Sequence, residues 1–351
     1  MKNHAWVEVK KNNIYLNAEK IFRYSKPKVG ILPVVKADAY GLGSTTIASI
    51  LDQDYVWGFA VATNWEGIQL RESGIQRPII VLRPALGSDL QDCREFHLTP
   101  VVDDPCLLKT LDQPFHLEID TGMSRGGLRW DSSVIKSQLF NHQPQGVFTH
   151  FHSSDESPST VTQQLARFTE ALTKIPVKPN LVYCANSAAA FYDLPLFDLV
   201  RPGIYLFGGC EIDHIEAPLP VVSLKTRVLS LRTINSGDTV SYNQKWRANQ
   251  KCEIATLAVG YADGVPRNLD KDAYVLIRGI RCPIVGVVTM DMMMVDVSHV
   301  PYEIIRGEIA TVFGQDSHGN NLSVTSFARW GCTIPYEILT RLGNRLDRVY
   351  V

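Results

Sequence analysis

A chain of 351 residues, 45% hydrophobic and 20% charged, has the composition of a folded globular protein and the length for two domains or a large α/β barrel with an addition. Its 35 basic and 36 acidic side chains leave a formal net charge of −1, which argues against a strongly basic nucleic-acid binder, and no uncharged apolar run reaches the roughly 18 residues of a membrane span. The opening MKNHAWVEVKKNNIY lacks the apolar stretch and small-residue cleavage site of a secretory signal, and with seven single cysteines and no C-x-x-C pair the expectation is a reducing cytoplasm rather than a disulfide framework or a thiolate zinc site.

Eight short apolar runs follow one another as candidate strands: VGILPVVK (29–36), WGFAVA (57–62), PIIVLR (78–83), LTPVV (98–102), FHLEID (115–120), GVFTHF (146–151), LVYCAN (181–186) and FDLV (197–200). Near-continuous apolar runs are what strands buried on both faces of a parallel sheet require. Helical candidates lie between them. NWEGIQLRESG opens at Asn64, carries Gly67 as a blemish and stops at Gly74. TVTQQLARFTEALTK opens at Ser159 or Thr160, with Val161, Leu165, Phe168 and Leu172 at helical spacing. This alternation predicts a (β/α)₈ barrel, with a doubly wound open sheet as the alternative. Beyond Pro218 and Pro220, turn-rich alternating segments predict an antiparallel β domain. The expected division is a barrel over 8–217 and a β domain over 218–351, joined by the N-terminal strand within 1–7. A last helix is expected over 326–343.

Several residues in this frame carry chemistry. Lys36 ends the first strand, where desolvation would prepare an amine for Schiff-base chemistry; the competing reading is a lysine snorkelling from the barrel rim. In FHLEIDTGMSRGGL, period-two spacing puts His116, Glu118 and Asp120 on one face and makes Arg125 a candidate partner. His150 and His152, with Asp155 and Glu156 nearby, leave open a metal-dependent hydrolase on a barrel. Asn186, Ser187 and the amides of Gly203 and Ile204 follow late strands, where barrels build phosphate sites, and Arg201 ends the eighth strand. In the β domain, Tyr261, Met290 and Asp291 sit in turns after apolar strands. The GLGSTT after the first strand lacks the ending of a P-loop.

Taken in order, these segments resemble the bacterial alanine racemase family, pyridoxal-phosphate enzymes of fold type III. The matching pieces are AWVEV (5–9), VVKADAYGLG (34–43), HLEIDTGMSRGGL (116–128), THF (149–151), CANSAA (184–189), RPGIYLFG (201–208), VSLKTRV (222–228), VSYN (240–243), VGYADGVPR (259–267), GVVTMDMMMVDV (286–297) and TIPYEI (333–338). The resemblance implies a barrel followed by a β domain, a homodimer with shared active sites, and interconversion of L- and D-alanine that supplies peptidoglycan. It implies pyridoxal 5'-phosphate as cofactor, held covalently by Lys36, with its phosphate at Tyr40, Ser187, Gly203, Ile204 and Tyr336. Arg201 would face the pyridine nitrogen and Arg125 the phenolic oxygen. Tyr261, backed by His150 and Arg201, would be the second base, and with Met290 would come from the partner subunit. A metal is not expected, nor a nucleic-acid or membrane partner.

Racemisation removes a proton from one face of the α-carbon and returns one to the other, so two bases on opposite faces meet its demand. An arginine at the ring nitrogen keeps that nitrogen unprotonated and makes a weaker electron sink. Three positions depart from the family pattern. Glu118 stands where many members carry a lysine, often carbamylated, and is expected to supply the same negative charge and orient Arg125. Leu42 stands where histidine is frequent, and 77–111 matches loosely. Competing functions are a serine or broad-specificity racemase, against which Tyr336 narrows the pocket, a fold-type-III decarboxylase of basic amino acids, and the metal hydrolase.

Overall fold

The computed structural model describes residues 4–25, 29–109, 111–135, 143–210, 212 and 215–351. The chain divides into two compact units. One comprises Tyr15–Leu206 and Ile212–Ala217, the other Met1–Ile14, Phe207–Glu211 and Pro218–Val351.

The first unit is an eight-stranded parallel sheet curled on itself. Its strands are Gly30–Ile31, Phe59–Val61, Ile79–Pro84, Thr99–Val101, His116–Asp120, Gly146–Phe148, Leu181–Asn186 and Leu199–Arg201. Each pairs with its neighbours in chain order, and the first pairs with the last. Parallel bridges Ile31–Val56 and Val34–Ala60 join the first strand to the second and close the ring. All eight expected strands are present. They are legible because a closed parallel sheet buries both faces: Phe59, Ala60, Val61, Leu117, Ile119 and Val147 are fully buried.

The helix Asn64–Glu72 is capped by Thr63 rather than by Asn64, and Thr63 and Glu66 form a capping box. Gly67 has a packing reason, since a Cβ there would fall 2.9 Å from Leu98 Cδ1. The long helix runs Pro158–Lys174 and begins earlier than expected, with proline tolerated in its first turn. Its buried stripe is Val161, Gln164, Phe168 and Ala171. Leu165 and Leu172 are half-buried, displaced because Gln164 turns inward to bond backbone and side-chain groups of the strand ends.

The second unit is a nine-stranded sheet in which Val222–Ile234 pairs with Cys252–Leu257, Ile309–Gln315 and Ala5–Val9. The pairing of Val222–Ile234 with Ile309–Gln315 closes six strands into a ring. Pairings are antiparallel except Ala5–Val9 with Asp347–Tyr350. The expected helix over 326–343 is two helices, Val324–Trp330 and Pro335–Thr340. Gly331 caps the first, Cys332 enters the left-handed region at φ 51°, and Pro335 starts the second. Among the described residues no helix is long and apolar enough to cross a membrane.

Candidate active site

Lys36, Ser187 and Arg201 stand at or beyond the C-terminal ends of their strands, the end of such barrels where loops build active sites, whereas His116 opens its strand. Lys36 follows the first strand and opens an unusual turn. Ala37, Asp38, Ala39 and Tyr40 are all left-handed, with φ between 49° and 58° and ψ between 38° and 52°. Non-glycine residues there cost about 1–2 kcal/mol each, so the surroundings must hold the turn. The amides of Leu42 and Gly43 donate to the Asp38 carbonyl at 2.9 and 3.0 Å, and Ser44 N–H donates to the Asp38 carboxylate at 2.7 Å. The turn sets Lys36 at one end and the buried Tyr40 at the other. Burial lowers the Lys36 pKa below that of an ordinary lysine; the charges of Arg125 and Arg201 act in the same sense, and those of Glu66 and Glu118 oppose them.

Arg201 ends the eighth strand and is 4% exposed. Its Nη2 donates to the Thr149 carbonyl at 2.9 Å and to His150 Nδ1 at 3.3 Å. Its guanidinium lies 5.0 and 5.1 Å from the stacked rings of Phe148 and Tyr183. Tyr183 shares a 2.6 Å hydrogen bond with His116, whose pKa burial lowers to about 3. Among the described residues, Arg201 Nη1 is buried with no acceptor. A buried cationic donor without a partner is costly, and an acceptor brought by a ligand would satisfy it.

His150 is held well below the usual histidine pKa by burial, then by Arg201, Arg125 and Lys36. Arginine can only donate, so Nδ1 of neutral His150 accepts and its proton sits on Nε2. His152 instead bonds Ser153. Among the described residues no three His, Cys, Asp or Glu side chains converge as a metal site.

Ser187 Oγ accepts from the amides of Gly203, at 2.9 Å, and Tyr205, at 3.4 Å. Ile204 opens the short 3₁₀ turn between them. Asn186 Oδ1 accepts from Ser154 Oγ at 2.7 Å and from the Ala189 amide at 3.2 Å. A Cβ on Gly203 would fall 2.3 Å from the Tyr40 hydroxyl. This cluster of amides and hydroxyls has the chemistry of a phosphate cradle. Gly203→Ala is therefore expected to displace Tyr40, lower stability by about 1–3 kcal/mol as overpacking does, and weaken phosphate-ligand binding. Denaturant unfolding and ligand titration check both effects.

Glu118 is 5% exposed, and a Cβ on Gly126 would lie 3.7 Å from its Oε2. Burial raises its pKa, against the charges of Arg125 and Arg201. Arg125, in the exposed turn after the strand, interacts with Glu118 through charge, and no hydrogen bond joins them among the described residues.

Tyr261, Met290, Asp291 and Tyr336 lie in the other unit. Tyr261 opens a 3₁₀ turn, Tyr261–Asp263. The Tyr261 and Ala262 amides donate to the carbonyls of Thr289 and Met290, each at 3.0 Å. A Cβ on Gly260 would sit 2.4 Å from those same carbonyls, so only glycine lets the two loops touch. Arg345 grips Asp263 at 2.6 and 3.1 Å and Asp291 at 2.8 Å. The Tyr261 and Met290 loops are thereby one braced piece, with Tyr261 39% and Met290 53% exposed. Tyr336 lies in the first turn of Pro335–Thr340.

Sequence reasoning missed Glu66, Gln164 and the Asp263–Arg345 pair. Thr63-x-x-Glu66 is a readable capping signature. Nothing local marks the others, because their partners are distant in sequence.

Two family models match the chain: the alanine racemase N-terminal domain over 9–211 and the alanine racemase C-terminal domain over 221–350. An alanine racemase of Nostoc sp. is 34% identical over 371 residues, covering 99% of this chain and 96% of that protein. One of Geobacter sulfurreducens is 36% identical, covering 95% and 94%. Among solved structures, the Bacillus anthracis alanine racemase with bound L-Ala-P superposes with a TM-score of 0.90 at 33% identity, covering 100% of this chain and 96% of that one. The Bartonella henselae alanine racemase with covalently bound pyridoxal phosphate gives 0.88 at 29% identity, each chain 99% covered.

Proposed function

The chain belongs to the alanine racemase family, and from that premise we propose that it interconverts L- and D-alanine with pyridoxal 5'-phosphate held at Lys36. The observation that supports the cofactor assignment is the buried Nη1 of Arg201, which has no acceptor among the described residues and would be satisfied by a ring nitrogen. The residues fit the rest of the group. Gly203, Ile204, Ser187 and Tyr40 would hold its phosphate, with Tyr336 completing the set and Asn186 fixing the loop that carries Ser187. When bound, the cofactor supplies the electron sink that makes the substrate's α-proton acidic.

The chain's own residues then handle the proton. Lys36, its basicity lowered by burial, takes and returns it on one face. Tyr261, exposed on its own unit, serves the other face from a second copy of the chain, so the active form is a homodimer. An unassisted tyrosine is a poor base, with a pKa of about 10. His150, with its proton on Nε2 and Arg201 behind it, can stabilise the phenolate. Arg125, Met290 and Asp291 contact the substrate. This activity belongs in the cytoplasm and feeds peptidoglycan with D-alanine.

Glu118 supplies negative charge beside Arg125 and Arg201. Glu118→Gln is expected to raise KM for alanine about tenfold, the loss of roughly 1.4 kcal/mol of charge-assisted positioning. Because burial raises the Glu118 pKa, the wild-type carboxyl becomes neutral as pH falls, and the difference between the two proteins should shrink. A pH series of KM checks this.

The cofactor assignment is tested by incubating the protein with pyridoxal 5'-phosphate, reducing with borohydride and mapping the label. A pyridoxyl group on Lys36 supports it; a label elsewhere, or none, refutes it.

A further inference from the structure

Glu66 has no assigned role in the chemistry above beyond its charge near Lys36, yet its carboxylate reaches the run of four left-handed residues that follows Lys36. Oε2 accepts the amides of Ala62, at 2.7 Å, and Thr63, at 3.1 Å. Thr63 Oγ1 in turn accepts the Glu66 amide at 3.3 Å. That exchange completes an ordinary capping box. The second oxygen does something a cap does not require. Oε1 accepts the amide of Ala37 at 2.7 Å, and Ala37 is the first residue after Lys36 and the first of the four left-handed residues.

One carboxylate thus joins the end of the first strand to the helix that follows the second. The direction in which the Lys36 side chain leaves the backbone depends on the peptide plane between Lys36 and Ala37. That plane carries the N–H that Glu66 binds. A left-handed turn of non-glycine residues relaxes unless its amides are held, and a charged acceptor holds an N–H more firmly than a neutral one.

We propose that Glu66 is a positioning residue for Lys36: by accepting the Ala37 amide it locks the strained turn and aims the lysine amine at the cofactor. The inference rests on the reading of Lys36 as the cofactor-bearing residue. The same contact sets a negative charge among the arginines around the amine. A mere cap would stabilise the helix Asn64–Glu72 and leave Lys36 unaffected.

The test compares wild type with Glu66→Gln, Glu66→Asp and Thr63→Ala. Apoprotein of each is titrated with pyridoxal 5'-phosphate while the absorbance of the lysine-linked cofactor is followed. Hydrogen exchange of the Ala37 amide is measured in parallel. Asp keeps the charge but is one methylene too short to span both loops. Gln keeps the length but offers one carbonyl oxygen for amides that two carboxylate oxygens serve. Both Glu66 variants are expected to lose Ala37 protection and to weaken cofactor binding about tenfold or more, the worth of a hydrogen bond to a charged group. Thr63→Ala, which breaks the cap without touching Ala37, is expected to lower Tm and leave cofactor affinity within about twofold. Unchanged affinity and unchanged Ala37 protection in both Glu66 variants would overturn the proposal, as would a Thr63→Ala defect equal to theirs. If wild type takes no cofactor at Lys36, the proposed function fails, and Ala37 exchange still decides whether Glu66 holds the turn.

Discussion

Lys36→Ala is expected to abolish racemisation, with a fall in kcat of about 10⁴-fold or more, the upper range for loss of a general base and here compounded by loss of the covalent anchor. In free-energy terms that is about 5.5 kcal/mol of transition-state stabilisation. The absorbance of the lysine-linked cofactor should vanish with it. Folding should survive, because the Lys36 side chain is half-buried at the mouth of the barrel and outside the apolar core. The Ser187–Gly203–Tyr205 cluster is intact without it. A variant that keeps its Tm but has neither activity nor the band separates a chemical defect from an unfolded protein. Activity within tenfold of wild type would contradict the assignment.

Tyr261→Phe removes one hydroxyl from an exposed ring whose loop is braced by backbone contacts to Thr289 and Met290. Stability should therefore hardly change, while racemisation should fall by about 10²–10⁴-fold. Initial rates in the two directions are a blunt measure. L- and D-alanine have equal free energies, so kcat/KM must fall equally for both. Solvent exchange is sharper. With Tyr261 gone and Lys36 present, one base still works on one face. In D₂O one enantiomer should exchange its α-hydrogen without inverting, and the other should exchange slowly. Equal exchange in both enantiomers, or equal loss of it, would contradict the two-base assignment.

Much of the barrel could be read because its strands are buried on both sides. Phe59–Val61 and Gly146–Phe148 have no solvent face, so their sequences stay apolar without alternating. Boundaries were less legible where a long-range contact decides them. The buried stripe of Pro158–Lys174 is set by Gln164, a polar residue drawn inward by Thr121, His150 and His152. The split of the last helical region falls at Gly331, left-handed Cys332 and Pro335; the glycine and the proline are local stop and start signals that the single-helix expectation passed over. The metal-hydrolase reading leaned on the spacing of His150 and His152, and in the structure the two bond different partners, Arg201 and Ser153.

The site divides in the same way. Lys36, Ser187 and Arg201 stand at or just beyond strand ends, so barrel topology alone made them candidates. The Arg201 Nη1 left without an acceptor among the described residues, by contrast, is a fact of three dimensions. Glu66 shows as a helix cap in the sequence, and its second contact appears only where Ala37 is brought to it. Arg345 and Asp263 are 82 positions apart, and only the folded second unit makes them a pair.

Racemisation itself is read by incubating the purified protein, loaded with pyridoxal 5'-phosphate, with L-alanine and following optical rotation. Rotation is expected to decay to zero as L- and D-alanine reach equal amounts, faster than with L-serine under the same conditions. Unchanged rotation, net consumption of alanine, or faster loss of rotation with L-serine would contradict it.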